Sequence, residues 1–317
     1  MSAQDPLEAK SRSRAHVYIR CTKVEEGDGA HYLYQQTRRA FIALTTYSPL
    51  FLPSFVTQKI RIYIIKDTMA SAACCKLAPV TADYTPKGKY EKIAGINTYI
   101  VGPEDATKGI VDIYDIFGIW PQTVQGADRL SAHTGFLVLI PDFFDGPGLD
   151  YDAIPMDTDE KAKKVQDFFS TTGNPQANVE KLLVFRRALA DRFPAAEGHW
   201  GLFGLCWGGK LAVLACGEGN EGVGRRFSAS GTAHPGLLDE ADAKVQTVPH
   251  ILLASKDEPA DKVALYKEIM GDRVEVTTYE TMHHGWMGAR SDLKNEENVK
   301  EFERGYKQAA DFFAKHL

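Results

Sequence analysis

Short apolar runs and amphipathic stretches alternate along this chain from about residue 90 to its end. Runs at 96–101 and 109–115 read as the first strands, and 122–133 fits a helix. Phe136-Leu137-Val138-Leu139-Ile140 is short, wholly apolar and followed by Pro141, which predicts a buried strand. A helix is expected over 179–192, with Asn178 as its N-cap and Val179, Leu182, Leu183, Phe185 and Leu189 on its apolar face. Phe193-Pro194 ends it. Further strands are expected at 226–230, 250–254 and 274–280, with a helix at 261–270. The chain closes on an amphipathic helix in which Val299, Phe302, Tyr306, Ala310 and Phe313 recur at spacings of three and four. Such alternation predicts an α/β fold: an open, doubly wound, mostly parallel sheet with helices on both faces.

Two segments interrupt the pattern. Residues 146–177 are rich in Asp, Pro, Gly and Thr, with a helical patch at 161–169, and form a candidate lid or rim. Residues 1–68 lack a clean period and carry ten Lys and Arg against six Asp and Glu, whereas the remainder carries 27 against 36. They are expected to be an N-terminal extension, poorly ordered or upstream of a natural start at Met69, leaving 69–317 as one domain. Acidic residues within the extension (Asp5, Glu8, Glu25, Glu26, Asp28) fit an organelle presequence poorly.

Composition narrows the function classes. A net charge of −5, with no basic stripe, argues against a nucleic-acid partner. No apolar run reaches the roughly 18 residues of a membrane span. The five cysteines lack a disulfide-scaffold spacing, and Cys74-Cys75 lacks the spacing of a zinc or redox site, so a reducing cytoplasmic location is expected. No dinucleotide or phosphate-loop glycine pattern follows a strand, and the chemistry below needs no metal or cofactor.

Gly204-Leu205-Cys206-Trp207-Gly208-Gly209 lies between an apolar run at 199–203 and a helical pattern at 209–215. It reads as a nucleophile elbow with cysteine in the place of serine, where a strained strand-to-helix turn exposes the nucleophile above the sheet. Glycines flank the turn because side chains would clash there. In an open α/β sheet, ligands bind beyond the carboxyl ends of the strands. Asp257 follows one such strand and His284 another, in the chain order nucleophile, acid, histidine. A thiolate is the attacking species, favoured by a helix N-terminus and by a nearby imidazole, which the acid orients. Asp257 comes first after its strand, but its neighbour Glu258 competes for the acid's role, and His283 competes with His284. Gly285 favours His284 by allowing close backbone approach. Cys216, on the helix after the elbow, reads as a small buried hydrophobe.

Cys206, Asp257 and His284 in this order resemble the dienelactone hydrolase family of α/β-hydrolases, in its eukaryotic, fungal-like branch, over about residues 75–317. Tyr114-Asp115-Ile116-Phe117-Gly118, Pro141-Asp142-Phe143-Phe144-Asp145-Gly146 and His284-Gly285-Trp286 share in that resemblance. It implies carboxymethylenebutenolidase activity, the opening of a dienelactone ring, with backbone N–H groups of Trp207 and Ile116 as oxyanion donors. It also implies a carboxylate touching the resting thiol, at the position of Asp115, one methylene shorter than the family's glutamate. Arginines hold the substrate carboxylate in the family, which makes Arg290 a candidate. His234 follows another apolar strand and lines the pocket or is structural; Trp286 is a candidate wall or core residue. The reading is a hydrolase that opens lactones or cleaves small esters through a cysteinyl acyl-enzyme. Its alternatives are a thioester or xenobiotic ester hydrolase of the same mechanism, and an idle α/β-hydrolase that binds a ligand.

Overall fold

The computed structural model describes residues 77–220 and 226–317; the expectations for residues 1–68 lie outside them. The strands are β1 (Lys89–Ile93), β2 (Ile96–Val101), β3 (Gly109–Ile113), β4 (Leu137–Pro141), β5 (Trp200–Leu205), β6 (Ala229–Ala233), β7 (His250–Ser255) and β8 (Val274–Tyr279). They form one sheet in the order β1-β2-β4-β3-β5-β6-β7-β8. β1 and β2 pair antiparallel, β2 joins β4 antiparallel, and every pairing from β4 to β8 is parallel. β3 to β7 are buried along their whole length because helices cover both faces, which is why β4 and β5 read as continuous apolar runs.

The helices are α1 (Pro121–Thr134), α2 (Asp159–Ser170), α3 (Pro175–Arg192), α4 (Trp207–Ala215), α5 (Glu240–Val245), α6 (Ala260–Met270) and α7 (Glu296–His316). α1 and α7 pack together so closely that a Cβ on Gly126 would lie 2.0 Å from the Tyr306 hydroxyl. α7 buries Phe302, Tyr306 and Phe313, and its Tyr306 and Phe313 rings meet Phe203 of β5 edge-on. Each such burial stabilises by roughly 1.5–3 kcal/mol. α3 packs on α4, and α5 on α6. A smaller apolar cluster joins α5 and α6 to β7 and β8 through Ala243, Leu252, Val263 and Tyr266.

Four elements differ from the sequence reading. β1 went unforeseen because its pattern, KYEKI, is mostly polar and exposed. It exists because Ala94 and Gly95, both at positive φ, close a two-residue hairpin onto β2. α3 begins at Pro175 with Asn174 as its cap, whose side chain accepts from the Ala177 N–H at 3.0 Å. Asn178 lies inside the helix and donates to the Thr172 and Asn174 carbonyls. The strand expected at 226–230 is β6, whose ASGTA sequence carries a weak strand signal. Small residues are required there, since a Cβ on Gly231 would lie 2.6 Å from Ile251. The short α5, capped by Asp239, was also unforeseen.

Candidate active site

The elbow forms because three close approaches forbid side chains around Cys206. A Cβ on Gly204 would lie 2.2 Å from the Gly208 backbone, one on Gly208 2.3 Å from the Ile113 carbonyl, and one on Gly209 1.9 Å from Thr232 Oγ1. α4 can therefore start directly on the ends of β3, β5 and β6. Cys206 pays for the tight turn with φ 51° and ψ −105°, a region that residues with a Cβ rarely occupy. Its N–H donates to the Ala233 carbonyl at 3.0 Å, and its own carbonyl accepts from Gly209 at 3.1 Å.

Trp207 is the first residue of α4, so its N–H belongs to the turn that has no intrahelical acceptor. The contact of Gly208 with Ile113 and Tyr114 brings this N–H beside the loop that carries Asp115 and Ile116. The Trp207 indole stacks on Tyr114 (centroids 6.0 Å, planes 12° apart) and donates to the Gly173 carbonyl at 2.9 Å. Phe144 bridges Trp207 to Phe168 of α2. The segment expected to be a lid or rim is thus packed onto the elbow through Phe168 and Gly173.

The carboxyl ends of β6, β7 and β8 bring the other groups. His284 is buried, and its Nδ1 lies 2.6 Å from Glu258 Oε1. The other Glu258 oxygen accepts the Ser255 N–H, so this buried carboxylate is braced at both ends. Asp257 instead accepts the backbone N–H of His284 at 3.0 Å. Glu258, the neighbour that competes with Asp257 for the acid's role, is thus a carboxylate at the imidazole nitrogen. The extra methylene of Glu258 lets its carboxylate fold back against Ser255 and reach the imidazole, while one oxygen of Asp257 holds the loop backbone at His284. The signal for Glu258 was its adjacency to Asp257, but spacing alone cannot order two neighbouring acids. His283 shares a hydrogen bond with the Arg290 carbonyl at 3.1 Å and closes the loop, and burial lowers its pKa.

The remaining candidates divide by location. His234, at the end of β6, is fully buried, and its ring meets that of His284 at 5.1 Å between centroids, edge to face. Arg290 is buried, donates to the Leu77 carbonyl, and lays its guanidinium over Phe117 at 4.8 Å. Its side chain also covers Gly285, where a Cβ would lie 2.8 Å from Arg290 Cδ. Asp115 is fully buried; one oxygen accepts from Phe117 N and the other from Ala289 N, tying the Ile116 loop to the His284 loop. Trp286 is taken up by packing: its indole lies on Tyr279 at 4.3 Å and fills the space over Gly305 of α7. Cys216 is buried as expected, which pushes its thiol up to about 12.

Among the described residues no cluster of His, Cys, Asp and Glu could hold a metal ion, and no helix is long and apolar enough to cross a membrane. A family model described as the dienelactone hydrolase family matches residues 96–317. An AIM2 family protein of Schizosaccharomyces pombe is 36% identical over 76% of this chain and 98% of its own length. The human carboxymethylenebutenolidase homolog is 29% identical over 40% of this chain and 49% of its own. Among solved structures, the dienelactone hydrolase from Anabaena variabilis superposes with a TM-score of 0.52 at 13% identity, over 74% of this chain and 98% of that one. The fold is that of an α/β-hydrolase, and the chain belongs to the dienelactone hydrolase family.

Proposed function

We propose that this carboxylic ester hydrolase opens lactones, dienelactones among them, or cleaves small esters with Cys206 as nucleophile, His284 as proton carrier and Glu258 as the acid that orients it. The observation that carries this reading is the 2.6 Å contact between Glu258 and His284 Nδ1, in a chain whose Cys206 is held at positive φ on a strand-to-helix turn. Glu258 fixes the tautomer and stabilises the imidazolium, which leaves Nε2 to serve the thiol. The thiol proton passes to His284 and Sγ bonds to the substrate carbonyl carbon, with the N–H groups of Trp207 and Ile116 receiving the oxyanion. The carbon–oxygen bond of the ester or lactone then breaks, and His284 returns its proton to the leaving oxygen. Water repeats the sequence on the thioester: His284 takes one of its protons as its oxygen bonds to the carbonyl carbon, the carbon–sulfur bond breaks, His284 returns the proton to the sulfur, and the acid leaves.

The reading is tested on a dienelactone and on p-nitrophenyl acetate with four proteins: wild type, Cys206→Ala, Glu258→Gln and Asp257→Asn. Cys206→Ala is expected to abolish turnover, and Glu258→Gln to lower kcat about a hundredfold or more through loss of the correct tautomer. Asp257→Asn, which keeps an oxygen acceptor for the His284 N–H, is expected to lose about tenfold or less. A larger loss in Asp257→Asn than in Glu258→Gln refutes the assignment of the acid. No turnover of either substrate by folded wild type refutes the hydrolase mechanism.

A further inference from the structure

His234 is the feature of the site that the mechanism above does not use. It is fully buried, and among the described residues neither of its ring nitrogens has a hydrogen-bond partner. A buried imidazole without a hydrogen-bond partner is costly, and a ligand group that supplies one would offset that cost. The ring contact with His284 places it at the reaction centre. Its backbone is held as firmly as that of the nucleophile. The N–H of His234 donates to the Leu253 carbonyl at 2.7 Å, and the residue sits at φ 38° directly before Pro235, where an extended conformation is the norm. Cys206 and His234 thus both take positive φ at the ends of the adjacent strands β5 and β6, and strain of this kind persists where function requires it.

The chemistry of the ring narrows what it can bind. Burial lowers its pKa well below the usual histidine range, and the neighbouring His284 and Arg290 push in the same direction. The ring is therefore neutral, with one nitrogen donating and the other accepting. A hydroxyl group can meet either nitrogen, donating to the bare one or accepting from the protonated one, whereas an anion or a carbonyl oxygen can meet only the N–H. We propose that His234 is a specificity-determining residue that binds a hydroxyl group on the carbon one or two bonds from the scissile carbonyl, making hydroxylated lactones or esters the preferred substrates. The inference rests on the hydrolase reading above.

The test compares kcat/KM for γ-butyrolactone and α-hydroxy-γ-butyrolactone, with p-nitrophenyl acetate as a reference ester, in wild type, His234→Phe and His234→Gln. Wild type is expected to prefer the hydroxylated lactone by about tenfold or more, as a site built to bond a hydroxyl does. In His234→Phe that ratio collapses toward one, and in His234→Gln, which keeps a donor and an acceptor, it is partly retained. A wild type without the preference, or a His234→Phe ratio equal to wild type, overturns the inference. Should His234→Phe fail to fold, His234→Gln decides, and equal losses on both lactones in it overturn the specificity role. Turnover of p-nitrophenyl acetate with no turnover of either lactone overturns this inference alone. A wild type inactive on all three overturns the hydrolase reading with it.

Discussion

Asp112→Val separates a buried charge from the fold that carries it. Asp112 lies on β3, three residues before Asp115, and is fully buried with neither oxygen partnered among the described residues. Its registry partner on β5 is Phe203, and the hydroxyl of nearby Tyr306 is already spent on the Met287 carbonyl at 2.8 Å. Burial alone raises the carboxyl from 3.8 to about 8. Between those values the folded chain keeps a proton that the unfolded chain has lost, so stability is highest in acid and falls as pH rises through the window. About four pH units at ~1.36 kcal/mol each is on the order of 5 kcal/mol. Valine removes the titration, suits a buried strand and fits a similar volume. Urea unfolding of both proteins from pH 5 to pH 9 measures the difference, provided the m-values agree. The variant is expected to be about 1–3 kcal/mol more stable at pH 5, where wild type buries an unpartnered neutral carboxyl. That advantage should widen by several kcal/mol by pH 8 to 9. Parallel stability curves, with a constant difference across the range, would show that Asp112 is solvated in the fold and refute the reasoning.

Two further predictions follow from the packing. Gly208→Ala places a Cβ 2.3 Å from the Ile113 carbonyl oxygen and 2.7 Å from that of Tyr114, both backbone atoms, and should cost about 3 kcal/mol. A fall in Tm of about 6–12 °C in calorimetry is the expected reading, and a Tm within a degree or two of wild type would show that the elbow can shift. His250 is fully buried, with Nδ1 2.8 Å from Ser230 Oγ, and burial lowers its pKa from 6.5 to about 3. The unfolded chain takes up a proton below 6.5 that the folded chain refuses until about pH 3, so stability falls as pH drops through that window. His250→Asn, which keeps an acceptor for Ser230, should flatten this acid limb in urea titrations; an unchanged limb would assign it to other groups.

The chain's periodicity alone determined the doubly wound sheet and most of its helices, because strands buried on both faces must be apolar throughout. Glycines at positions 204, 208 and 209 fixed the elbow, since their spacing reports the close approaches that the turn demands. Elements without an apolar run escaped that reading: β1 exposes polar side chains on an edge, and the buried β6 is built of small residues. The site followed the same division. Flanking glycines singled out Cys206 and His284, but nothing local says which carboxylate reaches the imidazole. Asp257 and Glu258 are neighbours with the same charge, and only the position of the His284 loop over β7 decides which carboxylate meets the ring and which meets the backbone. Trp286 and His234 were ambiguous for the same reason: whether an aromatic ring packs against Tyr279 and a helix or meets the ring of His284 depends on contacts between segments distant in sequence. Local sequence specifies turns and faces, whereas three-dimensional packing specifies the partners.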